Sequence, residues 1–289
     1  MDYSNGRSFD QAHNWSTQVF RLFFGNDSFR IARSMAEVIL EVKNLTKRFG
    51  PPTGESGFLA VNDISFEARE GEILGFLGPN GAGKTTTIQM LLDVLKPTMG
   101  QIRIFGRGFE NDREYILRRI NFSSTYVHLP GRLTVGENLL VFALLFSVPS
   151  PRKRIAEILS LIGAEEFKNK RYAVLSSGQK NKISLAKALI NRPRLLLLDE
   201  PTASLDPEVA DATRQLLKEI VKKEKMTILL TSHNMAEVEE MCDRVIFINH
   251  GKIVAQGTPL EITKEILEEE KSEPDLGQVF LKIVREFGP

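Results

Sequence analysis

The chain has 289 residues, 42% of them hydrophobic, and carries 38 Lys plus Arg against 37 Asp plus Glu. That is enough apolar material for one large domain or two small ones, and the near-neutral charge provides no overall field favouring nucleic acid. The single cysteine, Cys242, excludes an internal disulfide, suits a reducing compartment and is expected as a small buried hydrophobe.

Residues 1–34 are rich in Ser, Asn, Phe and Arg without a sustained period, and are expected to be a disordered or non-native extension, with Met35 opening the ordered chain. No basic cluster precedes an apolar run near Met1, so no signal peptide is expected. Val38 to Val42 reads as a strand, and Pro51-Pro52 and Gly54 as a loop. Phe58 to Glu67 alternates as a second strand. Glu72 to Leu77 is a short buried strand, and Thr86 to Leu95 places Ile88, Leu91, Leu92 and Leu95 on one helical face.

Between that strand and that helix stand Gly78, Pro79, Asn80, Gly81, Ala82, Gly83, Lys84 and Thr85, the pattern G-x-x-x-x-G-K-T. In this context it reads as a phosphate-binding loop. The glycines let successive N–H groups converge on phosphate oxygens, and the helix N-terminus adds its positive end. Lys84 is expected to serve the β- and γ-phosphates and Thr85 to offer its hydroxyl to Mg²⁺.

Gln101 to Phe105 follows as a strand, and Tyr115 to Phe167 is expected to be helical, with Thr134 as an N-cap and a second helix over Arg152 to Ile162. The apolar run Leu139 to Val148 is about half of the ~20 residues a membrane span needs. Arg194 to Leu198 reads as a buried strand, Glu208 to Lys223 as a helix, Thr227 to Leu230 as a strand and Met235 to Met241 as a helix. Two late strands, Val245 to Ile248 and Ile253 to Ala255, meet at His250-Gly251. A helical, acidic tail runs from Pro259 to Phe287, its Glu268-Glu269-Glu270 a solvated face. Strands alternating with helices around a phosphate loop predict an α/β fold with a mostly parallel sheet.

Leu195 to Leu198 ends in Asp199 and Glu200, two carboxylates at the end of a buried strand, where parallel sheets bind ligands. Asp199 is expected to hold Mg²⁺, directly or through water, and Glu200 to polarise an attacking water. Leu175-Ser176-Ser177-Gly178-Gln179 lies between the two motifs and enters a helix over Lys180 to Ile190.

With these motifs in this order, the chain resembles the ATP-binding subunits of the ABC transporter family, whose signature is L-S-G-G-Q. Ser204-Leu205-Asp206 is similar to the family's D-loop and Thr231-Ser232-His233 to its switch histidine. Phe49 stands where the family stacks an aromatic on adenine. The resemblance spans Val38 to Gln256. It implies a P-loop NTPase core with an N-terminal antiparallel β subdomain and a helical subdomain insertion. That gives an ATPase domain over residues 35–270, its helical subdomain at about 115–175, and a C-terminal helical tail at 271–289. Gly78 to Thr86 would wrap the phosphates of ATP, and His233 would contact the γ-phosphate. Ser176, Ser177, Gly178, Gln179 and Asp206 would meet a second subunit's ATP, so that two copies sandwich two ATP molecules head to tail.

Two positions depart from the family pattern. Thr125, or Ser124 in a register one residue shorter, stands where the family has a glutamine, and its hydroxyl would reach Mg²⁺ or water on a shorter arm. Ser177 replaces a signature glycine, which a helix start tolerates at negative φ. Pro130 to Leu139 and Gly75-Phe76-Leu77 are similar to export-type ATP subunits, whose permease is often a separate chain. The implied place is cytoplasmic, peripheral at the inner face of the cell membrane. The alternatives are a soluble ABC ATPase acting on ribosomes or DNA assemblies and a phosphoryl-transferring kinase. One cassette without a cysteine cluster disfavours the first, and the signature with the switch histidine disfavours the second.

Overall fold

The Leu195–Leu198 run lacks polar alternation because both of its faces are covered in the computed structural model. Leu196 and Leu198 enter one apolar cluster, Leu195 and Leu197 another, and all four are fully shielded. Neighbouring strands divide the same way, with Ile228 and Leu230 on one side and Leu229 on the other, and Val245 and Phe247 opposite Ile246 and Ile248. A strand buried on two sides gains from apolar residues at every position.

The structure describes residues 36–50, 57–124, 128–203 and 205–286. The expected extension at 1–34, the Pro51-Pro52 and Gly54 loop, Thr125 and Ser204 lie outside the described residues. The chain divides into two units at Glu37, and the described strands and helices belong to the one beginning at Val38. In chain order they begin with β1 (Val38–Phe49), β2 (Phe58–Arg69), β3 (Ile73–Leu77), α1 (Lys84–Leu91), β4 (Met99–Ile104), α2 (Phe109–Leu117) and β5 (Ile120–Ser124). A helical stretch follows, with α3 (Val135–Leu145), α4 (Pro151–Leu161) and α5 (Ser177–Leu189). The chain then continues through β6 (Leu195–Asp199), α6 (Pro207–Glu224), β7 (Thr227–Thr231), α7 (Met235–Met241), β8 (Arg244–Asn249), β9 (Lys252–Gly257), α8 (Pro259–Leu267) and α9 (Leu276–Glu286).

The main sheet has the order β5-β6-β7-β3-β8-β9, parallel throughout except that β9 folds back on β8. A second sheet, β2-β1-β4, is antiparallel. This is the expected α/β architecture, a mostly parallel sheet beside an antiparallel one. Three local differences have physical causes. β1 runs seven residues past Val42, because shifts in its pairing around Asn44, whose φ is 49°, hide the alternation. The stretch expected to be helical from Tyr115 contains β5, which pairs with β6 in the main sheet. The tail is two helices rather than one, broken after Leu267 where Glu268 turns left-handed at φ 56°.

α3 starts as expected at Thr134, with a full capping box in which the Thr134 and Glu137 side chains each bond the other's backbone N–H. The helix buries Val135, Asn138, Leu139 and Ala143. Its opposite side is apolar too and uncovered, with Val141, Leu144 and Leu145 at 46%, 61% and 72% exposure. An amphipathic surface helix would carry polar residues there. No described helix is long and apolar enough to cross a membrane.

Candidate nucleotide site

The phosphate loop leaves β3 through positions that admit no side chain. A Cβ at Gly78 would collide with the Ile248 carbonyl, and at Gly83, where φ is 108°, it would lie 2.5 Å from the Ala60 oxygen. The loop is pinned from β8 and β9 as well, by the bond from the Gly251 N–H to the Ala82 carbonyl. Lys84 opens α1 and folds back so that its ammonium donates to the Gly78 and Pro79 carbonyls at 2.6 and 3.0 Å. Burial lowers the Lys84 pKa, and the nearby charges of Glu200 and Asp199 partly restore it. Asn80, Gly81, Gly83, Lys84, Thr85 and Thr86 line a cleft of about 700 Å³. Asp199, Glu200 and Ser124 line it too.

Asp199 arrives at the end of β6, between β5 and β7. The register sets Ser124 and Thr231 directly beside it. The Thr231 hydroxyl donates to Asp199 Oδ1 at 2.6 Å and the Ser124 hydroxyl to Oδ2 at 3.3 Å. The carboxylate is thus oriented toward the cleft by two hydroxyl donors. β5 therefore ends in a residue that acts on Asp199, although Thr125 itself is not described.

Glu200 leaves the strand in the left-handed region, at φ 55°, while its N–H still bonds the Thr231 carbonyl. The turn aims its carboxylate at the end of β7, where Oε2 lies 2.6 Å from Nδ1 of His233. Glu200 is mostly shielded and His233 is 74% exposed, so the pair has one inner and one outer member.

The other expected residues stand elsewhere. Ser176 caps α5, accepting from the Gln179 N–H at 3.3 Å, while the Gln179 side chain accepts from the Ser176 N–H at 3.0 Å. Ser177 is the first helical residue and has no positive φ, as its place in the pattern requires. A Cβ at Gly178 would meet nothing closer than 3.9 Å within the chain. Asp206 is exposed at the N-cap position of α6, before Pro207, without bonding the helix through its side chain. Neither this group nor Phe49 lines the cleft. The aromatics that do are Phe122 of β5 and Phe58, which pairs with Phe49 across β1 and β2. Phe49 is 43% exposed, with the Lys47 ammonium 5.2 Å from its ring centre.

Sequence reading also missed the second layer. Asn181 on α5 donates to the Pro201 carbonyl at 2.6 Å, holding the turn after Glu200. Thr202, in the same turn, and Ser232 both donate to the Glu237 carboxylate. Only a buried Glu near the start of a helix after the switch histidine could have signalled this, and Glu is too common at helix starts to stand out. As expected, Cys242 is buried; burial raises its thiol pKa well above the ordinary range, with Asp243 and Glu237 adding to the effect.

The chain as a whole is similar to several known proteins. The family model described as ABC transporter matches residues 61–203. The chain is 38% identical over 221 residues to the bacitracin transport ATP-binding protein BcrA of Bacillus licheniformis, covering 75% of this chain and 69% of that one. It is 37% identical over 227 residues to the Nod factor export ATP-binding protein I of Burkholderia orbicola, covering 78% and 72%. Among solved structures, a dimeric ATP-binding cassette in a post-hydrolysis state with ADP and Pi aligns with a TM-score of 0.67 at 26% identity. That alignment covers 76% of this chain and 98% of the other.

Proposed function

The chain belongs to the ABC transporter family, and from that premise we propose how its own residues do the family's work. It is an ATPase that acts as a dimer and drives a separate membrane permease in an export-type system. The observation that carries the site assignment is the meeting of three motifs, with Lys84, Asp199 and Glu200 lining one cleft and Glu200 bonded to His233.

In this reading the loop from Gly78 to Thr86 holds the ATP phosphates and Lys84 leaves its own carbonyls for the β- and γ-oxygens. Glu200 takes a proton from the attacking water as the new bond to the γ-phosphorus forms and the β–γ bridging bond breaks, releasing ADP and phosphate. His233 contacts the γ-phosphate from the exposed side. Mg²⁺ fits the donors present. Thr85 and Asp199 would supply the few hard oxygens that this ion takes from protein, Asp199 directly or through water. When bound, the ion would neutralise charge on the phosphates.

Ser176, Ser177, Gly178, Gln179 and Asp206 act on the nucleotide of the second copy. The room at Gly178 supports this, because no group of the same chain requires a glycine there. The uncovered face of α3 is the surface we assign to the permease, since an exposed apolar stripe on a chain that works beside a membrane protein calls for a covering partner. The working place is the cytoplasmic face of the cell membrane. The proposed domain runs over 35–270 with a tail at 271–289, and its helical subdomain begins after β5, which belongs to the main sheet.

Phosphate release by the purified chain with Mg²⁺ and ATP tests the assignment, together with size-exclusion chromatography of Glu200→Gln. The expected result is a loss of turnover on the order of a hundredfold or more and an ATP-dependent shift to a dimer. Parent-like turnover in the variant removes Glu200 from its role.

A further inference from the structure

Among the described residues, two carboxylates are almost wholly buried outside the cleft, and they are held differently. Glu72, 2% exposed, pairs with Arg244 at 3.1 Å, the usual answer to a buried charge. Glu237, 3% exposed, forms no ion pair among the described residues. Its partners are two hydroxyls from two different loops. Thr202 Oγ1 donates to Oε1 at 2.6 Å and Ser232 Oγ donates to Oε2 at 2.8 Å.

Those loops are the ones that carry the reacting pair. Thr202 lies two residues past Glu200, in the turn closed by the bond from the Ala203 N–H to the Glu200 carbonyl. Ser232 immediately precedes His233. Glu237 stands three residues after Asn234, which caps α7, so a capping box would send its carboxylate to the Asn234 N–H. That N–H instead donates to Ser232 Oγ at 3.1 Å, leaving both carboxylate oxygens to bridge between loops. A simple helix cap needs neither burial nor Thr202.

We infer that Glu237 is a positioning residue for ATP hydrolysis, its buried carboxylate tying the turn after β6 to the turn after β7 and so holding Glu200 and His233 at bonding distance. This rests on the roles given to Glu200 and His233 above. The two residues belong to separate strand ends, and the carboxylate is one bolt common to both. Being dry, its hydrogen bonds are stronger than surface ones, and small misplacements of reacting groups are costly.

Steady-state ATP hydrolysis by the full chain, with melting curves, tests this on Thr202→Val, Thr202→Ser and Glu237→Met, alongside Glu200→Gln. Thr202→Val should lower kcat on the order of tenfold with unchanged KM and melting midpoint, and Thr202→Ser, which keeps the hydroxyl, should stay near the parent. Adding Glu237→Met to Thr202→Val should cost less than the product of the two single effects, because they break the same tie. Parent-like kcat in Thr202→Val, with Glu200→Gln inactive, overturns the tie alone. A fall in kcat matched by a fall in melting midpoint or a rise in KM reduces Glu237 to a structural residue and overturns it as well. Full turnover in Glu200→Gln removes the underlying reading and this inference with it.

Discussion

The cleft and the N-terminus of α5 both carry motifs for phosphate, yet they are finished to different degrees. In the cleft each functional group has a partner inside the chain: Lys84 on the loop carbonyls, Asp199 between two hydroxyls, Glu200 on His233. At the first turn of α5 Ser176 and Gln179 form a capping box, while Gly178 faces room that the chain does not fill. The exposed stripe of α3 is unfinished in the same sense. One part of the molecule is a completed half-site, and the other consists of surfaces shaped for something else to complete.

The largest effect that could break this contrast comes from Gly178→Asp. A carboxylate there should oppose the partner's γ-phosphate and cut turnover on the order of a hundredfold, while nucleotide binding to the isolated chain, followed by a fluorescent ATP analogue, stays at the parent level. Weakened binding in the single chain would place the signature in its own cleft instead. Next comes replacement of Val141, Leu144 and Leu145 by serine. Phosphate release by the soluble chain should be unchanged, and co-purification of a polytopic membrane chain from native membranes should be lost. Retained co-purification would move the permease contact off α3.

The smallest effect sharpens how the two parts are joined. Lys187 on α5 sends its ammonium to the Phe122 carbonyl of β5, and burial lowers its pKa from 10.5 to about 8. The unfolded chain therefore binds this proton over a pH range where the folded chain has released it. The Lys187 contribution to stability should rise as pH goes from about 8 to 10.5. The melting midpoint of the parent should rise relative to that of Lys187→Met across that range. Parallel curves would show that Lys187 keeps an ordinary pKa.

The half-site motifs were legible because each is local. The phosphate loop is one run between a strand and a helix, and Asp199 and Glu200 are neighbours at the end of an apolar strand. What escaped reading depends on register across the sheet. Ile120 to Ser124 looks too polar for a largely buried strand, but Asn121 spends its amide on Asn191 and the Lys187 carbonyl, and Ser124 its hydroxyl on Asp199. With those groups satisfied, burial costs little. The clamp on Asp199 needs Ser124, Asp199 and Thr231 side by side, which no single stretch of chain contains. The late strands and the α3 cap were visible for the opposite reason, since a Gly turn and a Thr-x-x-Glu pattern are written within a few residues.

Glu200 sits in a backbone conformation that suits glycine better, and an ordinary side chain there costs about 1 kcal/mol or more. The turn that sets its carboxylate beside His233 is the turn that makes the fold less comfortable. In the role proposed for Glu200, durability and turnover pull in opposite directions at this one position.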